Sequence, residues 1–411
     1  MNKHTAAVLI AVLIAVLAAV PLFGFDSRTQ SAMPPLHPVV MAQGGSYTAI
    51  ARGYNALFSN PAGFARPEGE LTLLSATMWM HSRPHAVIPG AAALFRGTLE
   101  GDRRRIEEQF TSRGFGTGGA AGIGYVGNNL GIGVSAVFDA LLFGQSFPTA
   151  DDQGDIEGVL ASEISIIGGF AVPFTLGGAR VSLGGDLRPF VRAYSYVEDA
   201  TLTAGMIARY LGVDSLHADE AFMDNTPVLN GFGLGFDLGL LVEWRQATVG
   251  LSLRDIGGTD LNFSSHSLER VWAAIRTGSL PAPAQSGDQG YVEQRYYVPM
   301  SANLGVAYHP RLTGFGRRLD PVVHVEVRDL LRAADHDTPA GSLLHLHAGA
   351  QISLWDSFAL RGGLYQGHPT FGAGLSVGFL DLNAALFTRE FGAYPGDRPV
   401  SGASLEAALR F

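Results

Sequence analysis

The chain has 411 residues, of which 47% are hydrophobic and only 16% are charged, and its mean hydropathy is +0.17. About a quarter of the residues of an average soluble protein are charged, so this composition argues against an ordinary soluble enzyme. The formal charge of −9 disfavours a nucleic-acid binder, and the lack of cysteine excludes disulfides and thiolate metal sites.

The N-terminus has the pattern of a secretory signal. Lys3 and His4 precede an unbroken apolar run over residues 6–20, and Gly24 follows shortly afterwards. A basic start, an apolar core and a small residue at the end are typical of a signal peptide. We therefore predict a signal peptide over residues 1–24, cleaved between Ala18 and Phe25, and an exported mature chain. The alternative is a retained anchor, because the run approaches the ~20 residues that a spanning helix needs.

Residues 41–65, MAQGGSYTAIARGYNALFSNPAGFA, are rich in small side chains. The residues that carry this motif are Gly44, Gly45, Asn60, Pro61, Ala62 and Gly63. The motif resembles the N-terminal hatch of the FadL family. That resemblance implies a fourteen-stranded outer-membrane transporter for long-chain fatty acids or other hydrophobic molecules, with a hatch over residues 25–67. PorV-like barrels of a bacterial secretion system share the Asn-Pro-Ala-Gly signature.

The chemistry of this segment suits a plug inside a barrel. Small side chains allow close packing against a wall. Pro61 cannot continue a helix and drives Asn60 toward an extended conformation, after which Gly63 can take a positive φ. The alternative is that these residues only end a helix and begin the first strand. The chain departs from many family members at Arg52, Gly53 and Tyr54, where those members carry acidic residues.

Beyond residue 67 the hydrophobic residues recur with a period of two, as they do on a strand with one apolar face. Val323, Val325 and Val327, for example, alternate with polar neighbours. This pattern predicts a barrel domain over residues 68–411. The predicted strands lie near 70–80, 116–126, 130–143, 160–175, 179–196, 229–244, 246–256, 296–309, 320–331, 343–354, 357–366, 370–378, 379–389 and 402–411.

Alternation alone also fits a soluble sandwich. The segments are long, however, and aromatic residues lie near their ends, as interface girdles require. These aromatic residues are Trp79, Tyr194, Tyr196, Trp244, Tyr296, Tyr297 and Trp355. A membrane strand must satisfy its hydrogen bonds laterally, so the sheet must close. We therefore predict an all-β fold, a transmembrane antiparallel β-barrel of about 14 strands, with 12 or 16 as alternatives, a small N-terminal hatch and a few short helices in loops.

Three connections and the C-terminus complete the predicted architecture. The connections at 98–113 and 201–223 have helical patterns, and residues 257–294 form a predicted long loop. The last strand ends on Phe411, which resembles the assembly signal of bacterial outer-membrane barrels and implies recognition by the barrel-assembly machinery.

A set of polar residues is predicted to line the lumen: Arg180, Asp186, Arg188, Arg192, His324, Glu326, His345 and His347. The histidines with Glu326 form a candidate metal site, and the arginines with Asp186 form a candidate clamp for a substrate carboxylate. A polar lumen lining with internal ion pairs explains the same residues, and we predict no bound metal. If Val325 faces lipid and Glu326 faces the lumen, Glu326→Arg should be far better tolerated than Val325→Arg and should alter only the local field.

Two motifs of enzymes are weak here. Residues 122–127 match the dinucleotide fingerprint GxGxxG, but a second strand follows them where the fingerprint needs a helix. Ser, His and Asp are scattered without a nucleophile-elbow turn. We therefore predict neither enzymatic activity nor a cofactor.

The sequence thus predicts a passive transporter of the bacterial outer membrane. Its expected partners are hydrophobic, fatty-acid-like small molecules, outer-membrane lipids and the assembly machinery, without nucleic acid. The ligand is expected to enter a pocket between hatch and wall. A PorV-like interaction barrel and an unspecific porin are the alternatives, and the oligomeric state is left open.

Overall fold

The computed structural model describes residues 32–81, 115–146, 155–197, 227–267, 294–314, 316, 319–333, 339–355 and 357–411. The predicted signal peptide and the connections at 98–113 and 201–223 lie outside these residues. The strands are β1 (Glu70–His81), β2 (Phe115–Gly127), β3 (Leu130–Ser146), β4 (Asp155–Leu176), β5 (Ala179–Val197), β6 (Pro227–Trp244), β7 (Ala247–Arg254), β8 (Thr259–Ser267), β9 (Gln294–Val298), β10 (Ser301–Tyr308), β11 (Val322–Val327), β12 (Leu346–Leu354), β13 (Phe358–Tyr365), β14 (His368–Val377), β15 (Leu380–Glu390) and β16 (Pro399–Arg410).

Fourteen of these strands form a closed antiparallel ring. β1 pairs with both β2 and β16, and the pairing of β5 with β6 closes the sheet. Closure leaves no free edge around the ring, which a sheet in a bilayer requires. The predicted fold and the predicted number of about fourteen strands are confirmed.

The remaining two strands extend the wall above an interruption. β7 ends at Arg254 and β8 begins at Thr259, while β9 ends at Val298 and β10 begins at Ser301. β8 pairs with β6 and with β9. β8 therefore continues the wall strand that contains β7, and β9 continues the wall strand that contains β10. The predicted loop over 257–294 is therefore wrong at Thr259–Ser267. The glycines at 257 and 258 break the alternation there, and both have a φ of +79°.

The outer face of the ring carries the apolar set of each strand. Val323 and Val325 are exposed, whereas His324 and Glu326 between them are buried. Similar alternation occurs from β1 to β16, where Met78 and Leu405 are 72% and 63% exposed. Large side chains that point outward without cover belong in lipid, so the ring is a membrane barrel.

Helices in the described residues are short: α1 (Pro38–Met41), α2 (Leu330–Ala333), α3 (Pro339–Ser342) and 3₁₀ turns at Thr48–Ile50, Tyr54–Phe58, Pro61–Ala65 and Leu343–His345. None of the helices in the described ranges is long and apolar enough to cross a membrane.

Two-residue turns join β2 to β3, β4 to β5 and β6 to β7 at one end of the barrel, which we call the short-turn end. The β2–β3 turn consists of Asn128 and Asn129, both with positive φ. The glycines of the GxGxxG match therefore lie in β2, before a turn and another strand, as the strand interpretation predicts.

The predicted aromatic girdle is only partly correct. Trp79 points into the lumen, is 2% exposed and donates a hydrogen bond from Nε1 to Asp139 over 2.8 Å. Tyr194 and Tyr296 pack on a cluster around Phe190. Trp355, in contrast, is 66% exposed at the turn after β12. Aromatic composition predicted girdle residues, but the face of each side chain had to be read from strand register.

Phe411 stacks on Phe379 with 5.6 Å between the ring centroids, and its backbone exchanges two hydrogen bonds with Leu71. We propose that Phe411 acts in assembly, and we expect Phe411→Ala to lower outer-membrane levels more than barrel stability. The folded barrel should lose about 1 kcal/mol of ring stacking. Phe379→Ala removes the same stack and is the control. Equal outer-membrane levels of the two variants, measured by heat-modifiable mobility, would contradict an assembly role.

Candidate functional site

The N-terminal segment, residues 32–67, lies inside the barrel. Five large apolar side chains after α1 belong to one cluster in which each is at most 9% exposed: Tyr47, Ile50, Tyr54, Leu57 and Phe64. Because these side chains are shielded from water within the ring, the segment fills the lumen at this level.

The segment reaches every strand of the ring. α1 contacts β14 to β16, the turn at Thr48–Ile50 contacts β7, β10 and β11, and the turn at Tyr54–Phe58 contacts β1 to β3. The turn at Pro61–Ala65 contacts β2 to β6. Gly349 of β12 and Gly363 of β13 lie against Gln43 and Gly44. The segment is therefore a continuous layer across the barrel.

Inward-facing glycines allow this close approach. A Cβ at Gly250 would lie 2.6 Å from the carbonyl oxygen of Thr48, which is too close for any side chain. The glycines whose Cβ would lie within 3.0 Å of the segment are Gly122, Gly131, Gly133, Gly184, Gly239, Gly250, Gly349, Gly363 and Gly372. Gly124 and Gly305 approach it at 3.2 and 3.3 Å. Part of the high glycine content thus shapes the wall to the segment.

Three of the predicted lumen residues hold residues 43–48, and we call them the first anchor. The Glu326 carboxylate accepts hydrogen bonds from the Tyr47 and Thr48 backbone amides, both over 2.8 Å, and from the Ser46 hydroxyl over 3.3 Å. His324 lies 2.8 Å from that hydroxyl, and His347 lies 2.6 Å from the Gly44 carbonyl oxygen. The first anchor (His324, Glu326 and His347) is 2–4% exposed.

A second anchor at the short-turn end holds residues 64–66. Arg180 donates to the Ala65 carbonyl over 2.6 Å, and Arg66 pairs with Glu243. The Asn128 and Asn129 amides donate to the carbonyls of Arg66 and Phe64 over 2.8 and 2.9 Å. The second anchor (Arg180, Glu243, Asn128 and Asn129) therefore fixes the segment just before β1.

Asn60 joins the two halves of the segment to the wall. Its side-chain amide donates to the Thr48 carbonyl over 3.0 Å and to the Leu240 carbonyl over 3.3 Å, and its oxygen accepts from the Ala62 amide. Asn60 is extended, as predicted, but it caps a further 3₁₀ turn, so it neither ends a helix nor begins β1. The predicted positive φ at Gly63 is wrong, because this glycine instead allows close approach of the Ala51 carbonyl.

Asn60→Ala should loosen the segment. Loss of three buried hydrogen bonds should cost about 2 kcal/mol, which is roughly 30-fold in local opening. The measurement is the rate of trypsin cleavage at Arg52, which is exposed. Ser59→Ala is the control, since the Ser59 hydroxyl bonds only within the segment, to Asn55. Equal cleavage rates for both variants would show that Asn60 does not hold the segment.

His37 precedes α1 and is 2% exposed. Burial lowers the pKa of His37 to about 4, so the ring is neutral at pH 7. Its Nδ1 lies 3.0 Å from the Thr77 hydroxyl, and its 3.6 Å approach to Glu406 is therefore not an ion pair. The ring packs edge-on against Tyr54. Sequence analysis did not single out His37, because no pattern marks a lone histidine as part of a buried contact.

Another group of charged residues lies on the inner wall from β4 to β8. This arginine–carboxylate group consists of Glu163, Asp186, Arg188, Arg192, Asp237, Arg254 and Asp255. Arg188 pairs with Asp255 over 2.7 Å, and Arg192 with Glu163 over 2.6 Å. Phe190 lies between the two guanidinium groups, 4.9 and 5.3 Å from its ring centroid.

The structure divides the predicted polar lining into separate places. Arg180 belongs to the second anchor, away from Arg188 and Arg192. His345 is on a 3₁₀ turn and lies 3.0 Å from the Arg328 carbonyl, so its predicted place on the strand beside His347 is wrong. The described residues contain no cluster of three or more His, Asp or Glu side chains with a geometry for metal.

The acidic partners Glu163, Asp237 and Asp255 were missed by sequence analysis. Glu163 and Asp237 lie on the inward face of β4 and β6, and alternation along those strands could have placed them there. Asp255 lies in the interruption after β7, where no alternation exists to follow.

No family model and no curated protein matches the chain. Several solved structures match it. The Pseudomonas putida toluene transporter TodX is 14% identical with a TM-score of 0.44, covering 94% of this chain and 98% of that one. The Ralstonia pickettii toluene transporter TbuX is 12% identical with a TM-score of 0.46, covering 94% and 99%. A Pseudomonas aeruginosa FadL homologue is 11% identical with a TM-score of 0.43, covering 92% and 98%. The chain is thus similar along most of its length to two toluene transporters and a FadL homologue.

Proposed function

We propose that the chain is a passive transporter for hydrophobic small molecules in the bacterial outer membrane, reached after cleavage of a signal peptide. The observation that carries this proposal is the apolar layer that the N-terminal segment forms across the lumen. Ions and sugars would lose their hydration in such a layer, whereas an apolar molecule gains about 25 cal/mol for each Å² that it buries. This contrast favours a hydrophobic substrate over an unspecific porin.

The lumen beyond this layer offers further apolar surface. Phe190, Leu261 and Val298 form one buried group there. Trp79 and Phe387 belong to another, near the start of the segment. A hydrophobic molecule would pass from these groups into a pocket between the segment and the wall. Long-chain fatty acids are one candidate cargo.

Passage requires the segment to move relative to the wall, and a reversible lock tests this. Ala49 and Gly305 face each other, and a Cβ at residue 305 would lie 3.3 Å from that of Ala49. This spacing is slightly shorter than the ~3.5–4.5 Å between the Cβ atoms of a disulfide, so a small shift of the segment would let the two sulfur atoms bond. The natural chain has no cysteine to interfere. In Ala49→Cys with Gly305→Cys, oxidation should reduce influx of a fluorescent hydrophobic probe into proteoliposomes, and reduction should restore it. The two single-cysteine variants are the controls.

Three influx outcomes separate the candidate functions, and a fourth outcome tests the gate. Influx of the hydrophobic probe without influx of sugars supports the proposal. Influx of both would indicate a porin. Influx of neither through a folded barrel would leave the PorV-like interaction role, and equal influx in the oxidised and reduced variant would mean that the segment does not gate.

A further inference from the structure

The arginine–carboxylate group contains more carboxylates than arginines. Arg188 contacts Asp255, Glu163 and Asp237, Arg192 contacts Glu163, and Arg254 contacts Asp237 over 2.8 Å. Each arginine of the group therefore has a carboxylate partner. A ligand anion would have to displace one of these carboxylates to reach a guanidinium group.

Asp186 is the carboxylate left over. Neither of its oxygens has a hydrogen-bond partner among the described residues, although the residue is only 3% exposed. Its cross-strand neighbour is another acid, Asp237. Nearly every buried polar group of a native protein has a partner, so an unpaired buried carboxylate needs an explanation. A ligand that brings a hydrogen-bond donor would provide one.

The surroundings of Asp186 indicate what kind of ligand this is. Asp186, Arg188 and Phe190 share the inward face of β5, and Phe190 packs on Leu261 and Val298. The Asp186 carboxyl group, a hydrogen-bond acceptor, thus lies on the same inner wall as the buried apolar surface of Phe190, Leu261 and Val298. This arrangement fits a molecule with an apolar body and one polar, donating end.

We propose that Asp186 binds the polar end of a hydrophobic molecule that carries a hydrogen-bond donor, such as an alcohol, a phenol or an amine. Carboxylates of the same length are disfavoured, since each arginine is already paired with a carboxylate of the wall and a further anion would place like charge beside Asp237. This inference rests on the proposed transport function and assigns its substrate class.

The test uses three ligands of one chain length, decan-1-ol, decylamine and decanoate. Each competes with influx of a neutral fluorescent hydrophobic probe into proteoliposomes that hold the full barrel. A hydrogen bond to the buried Asp186 carboxyl group, whose oxygens have no other partner, should make the alcohol and the amine compete at roughly tenfold lower concentration than decanoate. Asp186→Leu removes both oxygens and should bring the three ligands to similar concentrations. Asp260→Leu is the matched control, because Asp260 is exposed, and it should retain the preference.

The outcomes distinguish this inference from the transport function. Absence of probe influx would contradict both the transport function and the binding role of Asp186. Probe influx with equal competition by the three ligands in the natural chain would overturn the inference alone, without any variant having to fold. A preference that persists in Asp186→Leu would show that another group selects the donor.

Discussion

Glu326→Ala should open the barrel to small polar solutes while the β-barrel stays folded. The carboxylate is 2% exposed and accepts two backbone amides and one hydroxyl from residues 46–48. Its removal leaves these buried donors without an acceptor, which should cost about 3 kcal/mol or more. The ratio of seated to unseated segment should then fall by at least about 100-fold.

The measurement is influx of a disaccharide into proteoliposomes at equal content of folded barrel. Glu68→Ala is the control, since Glu68 is an exposed acid of the same charge next to the segment. Glu326→Gln retains one oxygen acceptor and should give an intermediate leak. No disaccharide influx in Glu326→Ala would mean that the remaining contacts, those of the second anchor and Asn60 among them, hold the segment without Glu326.

Val325→Arg should strongly destabilise the folded barrel in bilayers. Val325 is 50% exposed on the outer face of β11, between Val306 of β10 and Ala348 of β12. A charge placed there lies in hydrocarbon and should cost about 2–4 kcal/mol near the midplane. The matched control is Ser357→Arg, at an exposed turn, where the cost should be about 0–1 kcal/mol.

The measurement is the folded fraction of each variant over a urea titration in lipid vesicles, read from heat-modifiable mobility. Equal midpoints for Val325→Arg and Ser357→Arg would falsify the assignment of Val325 to the lipid face.

The strands and their faces could be predicted because both depend on local alternation. Val325 and Glu326 were assigned to opposite faces, and the structure confirms this. The expectation that Glu326→Arg alters only the local field conflicts with the contacts of Glu326 to residues 46–48. Those contacts join residues 278 to 280 positions apart, and no local pattern records such a distance. Sequence alone therefore predicted the direction of a side chain but not what occupies the lumen.

The errors have similar local causes. Thr259–Ser267 was missed as a strand because two glycines and an acid interrupt the alternation before it. His345 was placed on a strand because the alternating pattern of β12 already includes His345, one residue before the strand begins at Leu346. Before Thr259 the side-chain pattern stops although a strand follows. At His345 the side-chain pattern is present although the backbone is a 3₁₀ turn.

The contact of the N-terminal segment with every strand of the ring has a consequence for assembly. The N-terminal segment is synthesised first, yet the surface on which it packs includes β16, which is synthesised last. No partial barrel provides that whole surface, so the segment can pack completely only after β1 and β16 pair. Contacts between positions this far apart form slowly, because the chain between them must first be ordered. We therefore expect a refolding barrel to pass through a stage in which the wall is closed and the lumen still conducts polar solutes, with the seal forming afterwards.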